Sequence, residues 1–466
     1  MFLFYSVVTR ARHSLTLSYP AVNSKGQPVF PSPYVTAVTS LFTREGLVIT
    51  HEGKLSPVPA TDRALTATDL RLAAMIEARQ GRPELFRAVL ELEPLRRTAW
   101  NTLAACQVTH QRFHERGFTP YEGLLTLPQN LDGLCQRFGA QHQFSATELE
   151  SYARCPFQFW LSTVLRIGIV ESPEEETDHA GRGILLHEVL ASLLKEGVIS
   201  DTEGLRTRFG ELVQAQLNRQ VPETELQRAL VRIERIVLDQ WGEAFVNQQE
   251  KYHLEYASVL QRTHSLDPEI PFGKLPGSAM VSEDYQPPIQ FGRDETAVNL
   301  RGRIDRVDVG KFEGHPAYVV IDYKTGKPPV VKHAELITGR SIQLVIYLLA
   351  IKRLGLAGPN AVPFQMGFWG LKEKGFSIGT GGKTFEALDA PYVQALETIL
   401  DDVLPRLAEG IRSGRFVVEN EDAHCTGRCV YRTVCRVNQL RPLADQLGKK
   451  SPPPIDPTLA IGADGP

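Results

Sequence analysis

Three residues offer chemistry most directly: Asp305 in "LRGRIDRVDVG", and Asp322 and Lys324 in "YVVIDYKTG". Two carboxylates at neighbouring strand positions can share a hard cation such as Mg²⁺, which takes oxygen ligands and keeps several waters. Lys324 follows Asp322 by two residues, so a strand would project both from one face. An ammonium there could orient a metal-activated water and offset charge building on a phosphate. Asp305 precedes Asp322 by 17 residues, which suits two adjacent antiparallel strands joined at "GKFEGHP". Alternation along "LRGRID" places Asp305 with Arg301 and Arg303, opposite Ile304. The same pattern also suits a cross-strand set of surface ion pairs.

Two helical stretches add polar groups. "GRGILLHEVLASLLKEG" is amphipathic, with Ile184, Leu185, Leu190 and Leu194 on its apolar side and His187 beside them. Gly183, one turn before His187, leaves room for another segment to approach. "RSIQLVIYLLAIKRLGL" carries Gln343 and Tyr347 at i, i+4, with Arg340 one turn earlier. Those three could touch a phosphodiester backbone, or form a solvent-facing stripe.

The chain has six cysteines. Cys425, Cys429 and Cys435 form C-x3-C-x5-C, compact enough to grip one soft centre, with Cys155 in "ARCPFQF" as the candidate fourth thiolate. Zinc commonly takes C-x2-C pairs, whereas iron–sulfur clusters accept more varied spacings. Cys106 and Cys135 read as small core residues. "SIGTGGKT" ends like a phosphate-binding loop, but Ser377 stands where the first glycine is required, so it is not read as a nucleotide site.

Positioning these residues needs an α/β fold. Residues 1–60 read as strand-rich, with two β-prone runs in "FLFYSVVTRARHSLTLSYPA" followed by Pro/Gly-rich loops. Residues 61–140 read as a helical linker region. A larger domain spans 141–440, opening at "FSATELESYARC", where Ser145 and Glu148 have capping-box spacing. It continues with helices to about 262, strands from about 279 to 325, the helix of Gln343, a strand at "AVPFQMGFWGL" and a long helix ending near 414. The acidic run 171–178 is expected to be a solvated loop, and the proline-rich tail 441–466 to be disordered.

Composition narrows the class without naming a partner. Hydrophobic residues make up 42% and charged residues 23%, as in globular domains, and the net charge of −3 neither requires nor excludes nucleic acid. No apolar run approaches the roughly 18 to 20 residues of a membrane span. The apolar start is followed by arginines, the reverse of a secretory signal, so a cytoplasmic location is expected.

Taken together, "GILLHEVL", "GRIDRVDV", "VVIDYKTGK", "QLVIY" and the four cysteines resemble the PD-(D/E)xK nuclease superfamily, and within it the AddB/RecB-type nuclease domain of bacterial helicase–nucleases. The resemblance covers about 145 to 440. It implies a mixed central β-sheet flanked by helices, the restriction-endonuclease-like core. It also implies a Mg²⁺- or Mn²⁺-dependent deoxyribonuclease, acting on single-stranded DNA or DNA ends with a helicase–nuclease partner subunit in double-strand break repair. His187, Asp305, Asp322 and the Tyr323 carbonyl would ligand the metal. Lys324 would assist the attacking water, while Gln343, Tyr347 and Arg340 would hold DNA. Cys155, Cys425, Cys429 and Cys435 would hold a [4Fe–4S] cluster as a staple, although the C-x3-C spacing departs from an expected C-x2-C. The stretch "FYSVVTRARHSLTLSYP" is similar to motif VI of superfamily 1 helicases, with Arg10 and Arg12 as its arginines. Without Walker motifs before it, this implies a helicase-like remnant, or the C-terminal part of a longer helicase–nuclease, with no ATPase activity of its own. The rival readings are a catalytically silent DNA-end-binding subunit and a zinc-stapled structural subunit.

Overall fold

A computed structural model describes all residues except 1, 22–26, 44–45, 51–61, 63, 115–117, 169–178, 198–200, 220–223, 275–285, 327, 330, 373–374, 380–386, 419–421, 423, 436 and 438–466. The acidic run 171–178, the proline-rich tail and most of the glycine-rich "GTGGKT" therefore lie outside the described residues. The chain divides into two compact units, Met1–Cys106 and Gln107–Pro466.

The first unit is helical. Helices Ala67–Arg79 and Glu84–Glu91 close over a small core of Ala74, Phe86, Val89 and Ala99. The expected N-terminal strands are not there: Phe2–Val8 is an α-helix, and so is Pro33–Thr39. A lone β-prone run has no ladder to join, whereas a helix satisfies its backbone groups within itself. Arg10 and Arg12 are both exposed.

The second unit is mixed α/β. Its strands are β1 (Gln143–Ser145), β2 (Arg262–Ser265), β3 (Ile270–Phe272), β4 (Ile289–Phe291), β5 (Val298–Ile304), β6 (Arg306–Phe312), β7 (His315–Lys324), β8 (Val362–Gly370) and β9 (Gly375–Ile378). One sheet runs β2-β6-β7-β8-β9, with β7 and β8 parallel and its other pairs antiparallel. In the other, β5 pairs with β1 in parallel and with β3 and β4 antiparallel. The β6–β7 hairpin turns through Glu313 and Gly314, both with positive φ, 51° and 85°. That geometry matches the right-handed strand twist, and glycine adopts it at no steric cost.

Strand β7 is the core of the domain, buried on both faces. Tyr318 and Val320 face a cluster shared with helix Gln343–Leu354. Ala317, Val319, Ile321 and Tyr323 face a second cluster supplied by helices His179–Lys195, Thr202–Leu217 and Glu225–Tyr252. Fully burying each large side chain contributes roughly 1.5–3 kcal/mol. The period of two then carries Asp322 and Lys324 onto the Gln343 side and Tyr323 onto the His187 side. Cys106 and Cys135, expected in the core, are exposed. On helix Pro128–Phe138 it is Leu134 and Phe138 that turn inward, leaving Cys135 outside. Among the described residues no helix is long and apolar enough to cross a membrane.

Candidate active site

The site is built around a break in a strand. β5 and β6 are one backbone run interrupted at Asp305, where the chain leaves one sheet and enters the other. The bend cancels the simple alternation, so Ile304, Asp305 and Arg306 are all buried. The β6–β7 ladder begins at Arg306, opposite Ile321. The Tyr323 N–H lies beyond it, and Asp305 Oδ2 accepts that N–H at 2.8 Å. Asp305 is thereby fixed at the end of β7, next to Asp322.

The segment between β2 and β3 follows the same bend. Glu269 donates its N–H to the Asp305 carbonyl at 3.2 Å and holds a left-handed φ of 59°. A non-glycine residue in that region is strained, and such strain persists where the surroundings fix it. From helix His179–Lys195, His187 Nδ1 lies 3.4 Å from Asp305 Oδ1 and 3.7 Å from Glu269 Oε1. Gly183 is not needed to make room here, since a Cβ there would lie an ordinary 4.0 Å from Thr325 Oγ1, just after β7. The buried face of this helix is Leu186, Val189, Leu190, Leu193 and Leu194; Ile184, expected within it, is 64% exposed.

Ligand atoms of His187, Glu269 and Asp305 all lie within 4.8 Å of one another, a spacing suited to a single cation. Asp322 adds a carboxylate that is 2% exposed. Its Oδ2 has a close ion contact with Lys324 Nζ at 2.6 Å but no aligned hydrogen bond. A buried carboxylate oxygen with no aligned donor is a fitting ligand for a hard cation. Electrostatics agree. Burial and the neighbouring Asp305 charge push the Asp322 carboxyl up to about 7, against the pull of Lys324 and His187. Burial would lower His187, but the neighbouring carboxylates of Asp305 and Glu269 hold it up to about 10.

On the face of β7 that Asp322 shares, Lys324 Nζ donates to Gln343 Oε1 at 3.0 Å, and Gln343 Nε2 donates to the Tyr347 hydroxyl at 3.1 Å. Gly302 leaves room for this arrangement, since a Cβ there would come within 2.7 Å of Phe272 and 3.1 Å of the Tyr347 ring. Tyr347 is buried rather than part of a solvent-facing stripe. Arg340 does not lie on the helix face with them. Gly339, at φ 80°, ends helix His333–Thr338, the Arg340 N–H returns to Glu335 O at 2.8 Å, and the next helix starts only at Gln343. That start is capped from a distance: Glu150 Oε1 accepts the N–H groups of Ile342 and Gln343 at 2.8 and 3.0 Å.

Behind Asp305 lies a buried polar network. Arg306 and Asp308 are fully buried, joined by two hydrogen bonds of 3.0 and 2.8 Å. Arg306 also donates to Gln249 Oε1 and the Tyr323 hydroxyl at 3.0 and 3.3 Å, with the Tyr252 and Trp369 rings each 5.2 Å away.

The capping box at Ser145 and Glu148 forms as its spacing predicts, and opens helix Ala146–Arg154. That helix ends at Cys155, whose sulfur accepts the Gln158 N–H at 3.4 Å. Burial pushes the Cys155 thiol up, and Cys435, Cys429 and Cys425 are near enough to push it further. Cys425 and Cys435 pack with Phe157 against Val418 and Val437. Cys155 thus has three thiols from a distant part of the chain in its neighbourhood, while among the described residues the ligand atoms grouped closely enough for one ion are those of His187, Glu269 and Asp305.

His187, Asp305, Asp322, Tyr323 and Lys324 thus meet at one end of β7, with Gln343 and Tyr347 hydrogen-bonded to Lys324 in sequence. Two residues of the site escape a reading of the sequence. Glu269 sits in "LDPEIPF" between two short strands, and its one cue is an acid immediately before an apolar run. Glu150 looks like any charged residue on an amphipathic helix.

Residues 143–436 match the PD-(D/E)XK nuclease superfamily. A subunit of an ATP-dependent helicase/deoxyribonuclease from Desulforamulus reducens is 26% identical over 412 residues, covering 85% of this chain and 33% of that protein. Proteins of the same name from Symbiobacterium thermophilum and Moorella thermoacetica are 27% and 28% identical over 382 and 366 residues, each covering 75% of this chain and 29% of the relative. The chain spans about a third of the length of the relatives it matches.

Proposed function

The chain belongs to the PD-(D/E)XK nuclease superfamily, and on that footing we propose that it hydrolyses DNA phosphodiester bonds with the help of a divalent cation, as the nuclease part of an AddB-like helicase–nuclease in double-strand break repair. The observation that carries this reading is the convergence of His187, Glu269 and Asp305 beside the buried, unaligned carboxylate of Asp322. His187, Asp305, Asp322 and the Tyr323 carbonyl would hold Mg²⁺ or Mn²⁺, and Glu269 stands where it can join them. When bound, such a cation lowers the pKa of a water and offsets negative charge on a phosphate.

The chain's own residues do the rest. Asp305, tied to the Tyr323 N–H, and Asp322, in the rigid end of β7, keep the acidic wall in place without reorganisation. Lys324, held between Asp322 and Gln343, orients the attacking water and faces the phosphate with its positive charge. Gln343 and Arg340 offer donors to the DNA backbone, and Tyr347 acts through Gln343. Single-stranded DNA or DNA ends are the substrate class, cut exonucleolytically in the cytoplasm, with unwinding supplied by a helicase partner.

Cys155, Cys425, Cys429 and Cys435 would hold a [4Fe–4S] cluster. Joining positions about 270 residues apart constrains the unfolded chain and stabilises the closed domain.

The test is cleavage of labelled DNA with Mg²⁺ or Mn²⁺ by the full chain, Asp322→Ala and Lys324→Ala. Loss of activity by about 10²- to 10³-fold or more in both variants is expected, the size associated with removing a principal electrostatic group. Persistent cutting by both would reject the site. A wild-type protein that binds DNA ends without cutting would favour the silent-subunit reading.

A further inference from the structure

Glu150 touches neither the acidic wall nor any side chain assigned a role above, yet it sets the position of a residue that does. Its Oε1 receives two successive backbone N–H groups, of Ile342 and Gln343, at 2.8 and 3.0 Å. These belong to the first turn of helix Gln343–Leu354, which has no capping side chain of its own. A helix start leaves its first N–H groups unpaired, and a carboxylate is a favourable partner there. The residue so held is Gln343, which accepts from Lys324 at 3.0 Å; Lys324 Nζ in turn sits 2.6 Å from Asp322 Oδ2.

Glu150 is itself firmly mounted. Its helix, Ala146–Arg154, is capped by Ser145 and Glu148, and Glu148 also pairs with Arg301 of β5 at 3.1 Å. The far end of that helix is Cys155. Burial raises the Glu150 carboxyl, while the two backbone hydrogen bonds and the Lys324 charge pull it back.

We propose that Glu150 is a positioning residue: it fixes the start of the Gln343 helix and, through Gln343, holds the Lys324 ammonium against Asp322. Resting on the nuclease reading above, this makes the helix that ends at Cys155 the support against which Lys324 is aimed. An ordinary helix cap would contribute stability alone; this one also governs the catalytic lysine.

The experiment compares the full chain with Glu150→Ala and Glu150→Gln. Glutamine keeps an acceptor oxygen for both N–H groups, so it is the conservative rescue. For Glu150→Ala, kcat for DNA cleavage falls about 10- to 100-fold, as expected for a displaced reacting group, while KM for DNA stays within about twofold of wild type. Glu150→Gln recovers activity to within about fivefold of wild type, since one retained hydrogen bond is worth roughly a factor of ten at most. A second readout needs no activity. In the metal-free protein, hydrogen exchange quickens at Ile342 and Gln343 only, and Lys324 becomes more reactive to reductive methylation. Unchanged kcat with unchanged Lys324 labelling in Glu150→Ala would overturn the proposal. Faster exchange across the whole domain would overturn it too, reducing Glu150 to a structural cap. If wild type does not cut DNA, the nuclease reading fails, and the exchange and labelling results alone then decide the role of Glu150.

Discussion

Replacing Asp308 by asparagine isolates one part of what supports the site. The asparagine side chain would occupy the same volume and remove one charge from a pair in which both partners are fully buried. Arg306 then keeps its positive charge in the interior, where burial works against it and Asp308, with Tyr323 and Tyr252, had offset that effect. Breaking such a pair on one side typically costs about 3–5 kcal/mol, because a buried charge is left uncompensated. That is a large fraction of the roughly 5–15 kcal/mol that stabilises a domain. Arg306→Met leaves the opposite charge stranded and should cost a similar amount. The double variant strands no charge, so its destabilisation should be no greater than that of either single one. Urea unfolding followed by tryptophan fluorescence measures all three, and Trp369, beside Arg306, reports locally. Additive losses in the double variant would refute the reasoning and show that the two charges do not act as a pair. A functional consequence should accompany the loss. Arg306 holds the Tyr323 hydroxyl at 3.3 Å and the Tyr323 N–H holds Asp305 at 2.8 Å, so Mn²⁺ affinity should weaken in Asp308→Asn.

Gly302→Ala should destabilise the domain by about 1–3 kcal/mol, the usual range for overpacking, since the new methyl would meet Phe272 and Tyr347; thermal unfolding measures it, and an unchanged midpoint would contradict the packing described. Cation binding should release protons, because His187 is held up to about 10 and Asp322 to about 7 in the metal-free protein. A ligand must shed its proton to bind, so affinity for Mn²⁺ should rise from about pH 6.5 to about 8.5, and calorimetry in buffers of different ionisation heat should register the release; affinity that falls with pH would contradict it. Cys155→Ser should abolish absorbance near 400 nm and bound iron in anaerobically purified protein and lower its unfolding temperature, whereas zinc without iron in the wild type would reject the cluster.

The parts of the site legible in the sequence are those governed by short-range periodicity. Asp322 and Lys324 share a strand face because alternation has a period of two, and Ser145 with Glu148 announces a helix start that forms as written. Gln343 and Tyr347 meet because four residues make one turn. What cannot be read depends on irregular or long-range geometry. Glu269 enters through a left-handed residue between two short strands, and Glu150 acts on backbone groups some 190 positions away. Arg306 and Asp308 look like surface charges in "DRVDVG", because the bend at Asp305 that turns them inward leaves no local trace. Arg340 falls outside the helix that its spacing suggests, since the remote Glu150 cap sets where that helix starts. The N-terminal helix Phe2–Val8 shows the converse: β-prone residues without a partner strand do not make a strand.

The break at Asp305 also bears on what an incompletely folded copy of this chain can do. Because β5 and β6 are a single stretch of backbone shared by two sheets, Asp305 reaches Tyr323 and Glu269 only when both sheets have formed in register. A slip of one residue in either sheet would turn its side chains to the opposite face and scatter the acidic wall. The acidic cluster therefore depends on both sheets at once, rather than on either alone. A copy with either sheet out of register would hold the same residues without the arrangement that the proposed activity needs.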